Sequence, residues 1–224
     1  MGDVPPERPV ARATSLNPSA GHHSVTADPR ELAASERAGE RSWSTWTYYT
    51  HRYGERGRLF TRSDSAWITT LGDYPASVVE RQIRWLGALL AARGMPRLLL
   101  ENHLRILHEE LVAAVPERAS EYASLLQAAD SLRAERHAAV PERILTNLEV
   151  GFRDLLDSAG GDALRAGALI GAAVADERAG VPGAVESLLQ WLADPARFNA
   201  RWIAAVEHTL QQARESAADD PHRS

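Results

Sequence analysis

The chain contains no cysteine and no lysine. Without a thiol there is no disulfide, no thiolate metal site, no iron–sulfur cluster and no cysteine nucleophile. Without an ε-amine there is no Schiff-base lysine, no P-loop lysine and no kinase strand lysine. Every side chain in the Lys+Arg total of 25 is an arginine, a usage that, with abundant alanine, fits a GC-rich bacterial genome. The serine-nucleophile patterns GxSxG and SxxK are missing as well. No glycine-rich loop stands at a strand-to-helix turn where a dinucleotide would bind. The longest apolar run, Ala166 to Ala175, lies between Arg165 and Asp176. It falls far short of the ~20 residues that span a bilayer. The first residues lack the apolar core of a secretory signal. These absences lead to the expectation of a soluble, cytoplasmic protein with no membrane segment.

What remains is ordinary for a globular chain: 44% hydrophobic and 25% charged residues in a length of 224. A net charge of -5 gives no general reason to expect a nucleic acid or an acidic membrane as partner, and nucleic acid is disfavoured.

Residues 1–28 are rich in Pro, Ser, Gly and Ala without apolar periodicity, the pattern of a disordered tail. Asp28-Pro29 is an N-cap with proline at the first helical position, and it opens a short polar helix ending before Trp43. On a following helix Trp43, Trp46, Tyr49 and Tyr53 share a face, with Gly54 and Gly57 breaking it to leave Arg56-Gly57-Arg58 in a turn. Residues 76–93 carry Val79, Ile83, Leu86 and Leu90 on one face. Val78, Trp85 and Leu89 widen that stripe, which predicts burial on most sides. Later stripes run through Leu100, Leu104, Leu107 and Leu111; then Tyr122, Leu125, Ala129 and Leu132; then Leu145, Leu148, Phe152 and Leu155. Gly160-Gly161 predicts a loop, and Asp162 the cap of a helix dense in small residues. The Gly167 to Gly171 spacing predicts a close helix–helix approach. Asp194-Pro195 predicts the start of a last helix with Phe198, Trp202 and Val206 inward.

No stretch alternates as a strand should. The expected fold is therefore all-α: a single-domain antiparallel helical bundle of about eight helices over residues 29–217, with a disordered N-terminal tail and a frayed end at 218–224.

Two constellations carry chemical interest. Residues 43–67 hold seven of the chain's fourteen aromatics, interleaved with arginines. Trp43, Trp46, Tyr49, Arg52, Tyr53, Arg56, Arg58, Arg62 and Trp67 are the candidate binding residues. They read in three ways: a core with guanidiniums stacked on it, a pocket for an anionic or planar ligand, or a single-strand nucleic-acid platform. The second constellation is histidine-based. His103 and His108, flanking the 97–115 leucine stripe with Glu101 and Glu110, are metal or haem candidates, with His51 or His137 opposite. No two of these sit at the i, i+3 or i, i+4 spacing of a chelating pair on that helix. The alternative places boundary histidines in hydrogen bonds to nearby acids. The acid pairs Glu109-Glu110, Asp176-Glu177 and Asp219-Asp220 read as solvated surface.

The expectation is a non-catalytic binding or regulatory module, with no cofactor. It would use the aromatic–arginine region to take a partner protein or a small anionic ligand, and a homodimer is compatible with it. The alternative is a haem- or metal-binding helical protein, either a globin-like sensor or a metal-dependent oxygenase, with haem or iron as the cofactor.

Overall fold

A computed structural model of the chain describes residues 8–156 and 164–216. The fold is all-α, as expected. Among the described residues there are nine α-helices and one two-stranded sheet, with no helix long and apolar enough to cross a membrane. Contacts gather the chain into two compact units. The first holds the described residues up to Glu80 together with Asn102–Ala128; the second holds Arg81–Glu101 and the described residues from Ala129 onward.

In the first unit, β1 (Val10–Arg12) pairs antiparallel with β2 (Ser24–Thr26), with Ala11 opposite Val25. Order therefore begins nearer the N-terminus than residue 29, where composition alone places it. The physical reason is that Ala13 and Val25 are fully buried and pack with Ala66 and Trp67. Period-two alternation cannot register in strands of three residues. Asp28 caps α1 (Pro29–Thr45) by accepting from the Arg30 N–H at 2.8 Å. This helix runs through Trp43 rather than ending before it.

α2 (Tyr48–Thr70) follows and is kinked at Gly54, whose φ of 53° and ψ of -151° lie outside the helical region. Only glycine takes that conformation without a Cβ penalty. The kink sits at Gly54 alone, so Arg56-Gly57-Arg58 is helical and not a turn. Trp43 and Trp46 also leave the helix that holds Tyr49 and Tyr53. Trp43 lies in the last turn of α1, and Trp46 lies in the connection.

α3 (Ala76–Ala91), α4 (Arg97–Ala114) and α5 (Ala119–Ala139) each contribute to both sets of residues. The first unit's core includes Trp46, Tyr48, Ile68, Leu104, Leu107, Leu111, Tyr122 and Leu125, all buried. Burying each such side chain stabilises by about 1.5–3 kcal/mol before ordering entropy is counted.

The second unit adds α6 (Glu142–Leu155), α7 (Ala166–Arg178), α8 (Ala184–Leu192) and α9 (Ala200–Ser216). α7 is buried from Ala166 through Asp176. A Cβ on Gly167 would stand 2.4 Å from the Leu148 carbonyl oxygen, and one on Gly171 2.5 Å from Leu145 Cδ2. The small residues let α7 lie directly on α6, as their spacing implied. α9 starts later than Asp194-Pro195. Asn199 supplies the cap, its side-chain oxygen accepting from the Trp202 N–H at 2.9 Å, while Asp194 closes a preceding turn. The Gly160-Gly161 loop, the Asp162 cap, the Asp219-Asp220 pair and the 218–224 end lie outside the described residues.

Candidate functional site

In the aromatic–arginine segment the rings turn inward. Trp43, Trp46, Tyr48 and Tyr49 are buried, and Tyr53 and Trp67 are half-buried. Trp43 stacks on Tyr49 with centroids 5.3 Å apart and donates its indole N–H to the Thr61 hydroxyl at 3.0 Å. Burial pushes the phenol pKa values of Tyr48 and Tyr49 up. The arginines lie over the outside of this packing. Arg52 donates to the Tyr48 hydroxyl and covers the Tyr48 and Tyr53 rings; Arg56 lies over Phe60. Arg58 lies 4.5 Å over Trp43 and pairs with Glu40 at 2.8 Å, while Arg62 pairs with Glu36 at 2.6 Å. Trp67 packs against the N-terminal strands and meets His23 edge-on.

The histidines are scattered in role. His103 is buried with Ser42 Oγ 2.8 Å from Nδ1 and Ser65 Oγ 2.8 Å from Nε2. Its partners are thus hydroxyls, not the neighbouring acids. Both serines also lie within bonding distance of helix carbonyls, those of Ala38 and Thr61. Burial lowers the His103 pKa to about 4, so the ring is neutral near pH 7. A neutral ring has one N–H, so one serine must turn its proton to the bare nitrogen. His137 Nε2 lies 2.9 Å from Glu142, His51 is exposed, and His108 is half-buried with its pKa lowered by burial. Among the described residues no group of three or more His, Asp or Glu is placed to hold a metal ion.

The arrangement with most chemical capacity lies in the second unit, at residues periodicity treated as ordinary. Arg97 is the first residue of α4 and is only 5% exposed. Its backbone N–H donates to Asp176 Oδ2 at 2.8 Å, and its Nε donates to Oδ1 at 2.8 Å. One carboxylate from α7 therefore satisfies an unpaired N–H at the start of α4 and also neutralises the guanidinium. Asp176 is buried, not solvated surface, because its partner arrives from 79 residues away. Burial pushes its pKa up against the pull of Arg97. For Arg97 the downward push of burial is outweighed by Asp176 and Glu135, and the net movement is upward.

Arg97 Nη1 donates to Glu135 Oε2 at 2.7 Å, and Arg84 donates to Glu135 Oε1 at 2.7 Å. Arg97 Nη2 is buried and has no hydrogen-bond partner among the described residues. Leaving such a donor unpaired costs on the order of 1–3 kcal/mol.

These residues line a cavity of about 610 Å³. α3 contributes Arg84, Trp85 and Ala88, and α5 contributes Glu135, Ala138 and Ala139. The end of α7 and the turn after it supply Arg178 through Val181. That turn depends on Gly180, whose φ is 87°. The Gly180 N–H donates to the Glu177 carbonyl and the Val181 N–H to that of Asp176, which closes the helix. Trp85 is 57% exposed rather than buried on the α3 stripe. A tryptophan beside an arginine and off the main leucine face was the one sequence signal for this site. Nothing in the spacing pointed to Arg97 or Asp176.

Compared with protein-family models, with curated proteins and with solved structures, the chain gives no match.

Proposed function

We propose that this protein is a non-catalytic binding module for a small anionic ligand, and that the ligand sits in the cavity around Arg97 rather than on residues 43–67. The observation that carries this reading is Arg97 itself. It is buried and fixed by two carboxylates, it lines a cavity, and its Nη2 has no hydrogen-bond partner among the described residues. A guanidinium held in one orientation loses little freedom when an oxyanion pairs with its charge. The volume falls within the range of about 300–1,000 Å³ typical of small-molecule sites. By contrast, the rings of residues 43–67 are largely buried, and Arg58 and Arg62 already face acids of α1.

Calorimetric titration of the full chain with acetate, inorganic phosphate and naphthoate tests the reading. At least one probe is expected to saturate a single site. The double variant Arg178→Gln/Trp85→Ala, with helicity unchanged by circular dichroism, should weaken that binding about tenfold or more. No saturable heat with any probe overturns the proposal. Binding that survives in this variant but disappears in Arg56→Glu/Arg58→Glu moves the site back to residues 43–67.

A further inference from the structure

Arg8 stands outside the helices, yet its side chain is only 1% exposed. A charged side chain is rarely buried unless paired, so its surroundings decide what it does there. Several pieces of the first unit meet it. Its Nη1 donates to the Thr69 carbonyl in the last turn of α2, where the negative pole of the helix favours a cation. Its Nη2 faces Glu31 of α1 at 3.4 Å, Asp73 just after α2 at 3.2 Å and Glu121 of α5 at 3.5 Å. The Tyr122 ring centroid lies 5.9 Å from the guanidinium carbon, within reach of cation–π attraction.

We infer that these groups form a guanidinium-binding socket, and that residues 8–27 are a strap latched shut by Arg8 sitting in it. The socket has its own frame. Glu31 is fully buried and accepts from Tyr122 Oη at 2.6 Å, while Arg118 donates to Asp73 at 2.8 Å and to Glu121 at 2.6 Å. Among the described residues, the ion pairs of this cluster set Arg8 and Arg118 against Glu31, Asp73 and Glu121. With Arg8 withdrawn, Arg118 would face all three carboxylates, so the socket calls for a second cation. Its shape selects which one. A guanidinium reaches a carbonyl with one terminal nitrogen and carboxylates with the other; an ammonium, a compact point charge, does not span them.

The strap itself is slight. β1 and β2 are three residues each, and a two-stranded hairpin is marginal by itself. Ala13, Leu16 and Val25 pack with Ala66 and Trp67, and the Thr26 hydroxyl donates to Glu31. Closure is a sum of such contacts, and Arg8 joins the strap to α1, α2 and α5 at once. The Ala27 N–H donates to the Pro9 carbonyl at 2.8 Å, which ties the two ends of the strap together beside Arg8. Release of Arg8 therefore loosens this bond and the adjoining β1–β2 pairs before it disturbs the helices.

The test uses the full chain, its Arg8→Ala variant and two probes at equal ionic strength, ethylguanidinium and ethylammonium. In Arg8→Ala, with helicity unchanged by circular dichroism, the Ala13 and Ala27 amides are expected to exchange with deuterium at least about tenfold faster. Millimolar ethylguanidinium should bind this variant at a single site by calorimetry and slow that exchange again, and ethylammonium should do neither. The unaltered chain should bind neither probe at those concentrations, because Arg8 fills the socket. Native exchange rates in Arg8→Ala overturn the latch. No ethylguanidinium binding, rescue by ethylammonium to the same degree, or equal ethylguanidinium binding by the unaltered chain overturns the guanidinium site. Should Arg8→Ala not fold, Arg8→Lys carries the test, since it keeps the charge and loses the planar fork. Faster exchange is expected there too, and native rates overturn guanidinium recognition.

Discussion

In residues 43–67 the rings lie inside and the guanidiniums outside; around Arg97 the guanidinium is buried and the indole is exposed. Both regions are built from the same two side-chain types. In the first, Trp43, Trp46, Tyr48 and Tyr49 supply buried area, and the arginines cover it while Arg58 and Arg62 meet acids at its rim. In the second, two carboxylates fix Arg97 but leave one donor without an acceptor among the described residues, and Trp85 is 57% exposed. Richness in arginine and tryptophan therefore does not identify a binding surface. What separates the two regions is where the charge sits: Arg97 is buried between carboxylates at a cavity, whereas the arginines of residues 43–67 lie over the outside of packed rings.

The comparison can be broken by substitution. The largest effect is expected at Trp46→Ala, which removes a buried indole and should cost about 3–5 kcal/mol in denaturant unfolding. Naphthoate affinity of the fraction that stays folded should not change. A loss of affinity without loss of stability would reverse the roles of the two regions.

Asp176→Ala should cost a similar amount, about 3–5 kcal/mol, because it strands Arg97 and opens the start of α4. Full stability in this variant would show that the ion pair does not hold the cavity together.

His103 gives the next effect, a dependence on pH. Its folded pKa of about 4 lies below the unfolded value near 6.5. The unfolded chain therefore takes up the proton first as pH falls. The contribution is fully present above pH 6.5 and is lost between about 6.5 and 4, on the order of 3 kcal/mol in all. His103→Gln should flatten the stability profile across that window, as read from urea unfolding at successive pH values. An unchanged slope would mean that His103 does not titrate there.

The smallest effect is expected from Arg56→Glu/Arg58→Glu, whose side chains are exposed or half-buried. Stability should move by no more than about 1 kcal/mol, and anion affinity should not move. A large loss of affinity would restore residues 43–67 as the binding face.

The helices were legible because apolar spacing along one helix is a local signal. The stripe through Leu104, Leu107 and Leu111 is buried as its period implied, and the Gly167 to Gly171 spacing does bring α7 onto α6. The site was not legible for the same reason. Arg97 and Asp176 are 79 residues apart, and each looks solvated on its own helix until the other is beside it. Glu31 repeats the lesson. It falls in a polar first turn, yet it is fully buried and accepts from Tyr122 Oη at 2.6 Å, with Arg8 and Arg118 each 3.4 Å away. Period finds the apolar face of a helix. It cannot find polar groups that are buried only because a distant segment neutralises them.

The most direct measurement is a crystal structure of the full chain grown with a brominated naphthoate, the bromine located by its anomalous signal. The carboxylate is expected beside the guanidiniums that line the Arg97 cavity, with the ring against Trp85 and Val181. Bromine along residues 43–67, or an Arg97 cavity holding no naphthoate at saturating concentration, would contradict the account.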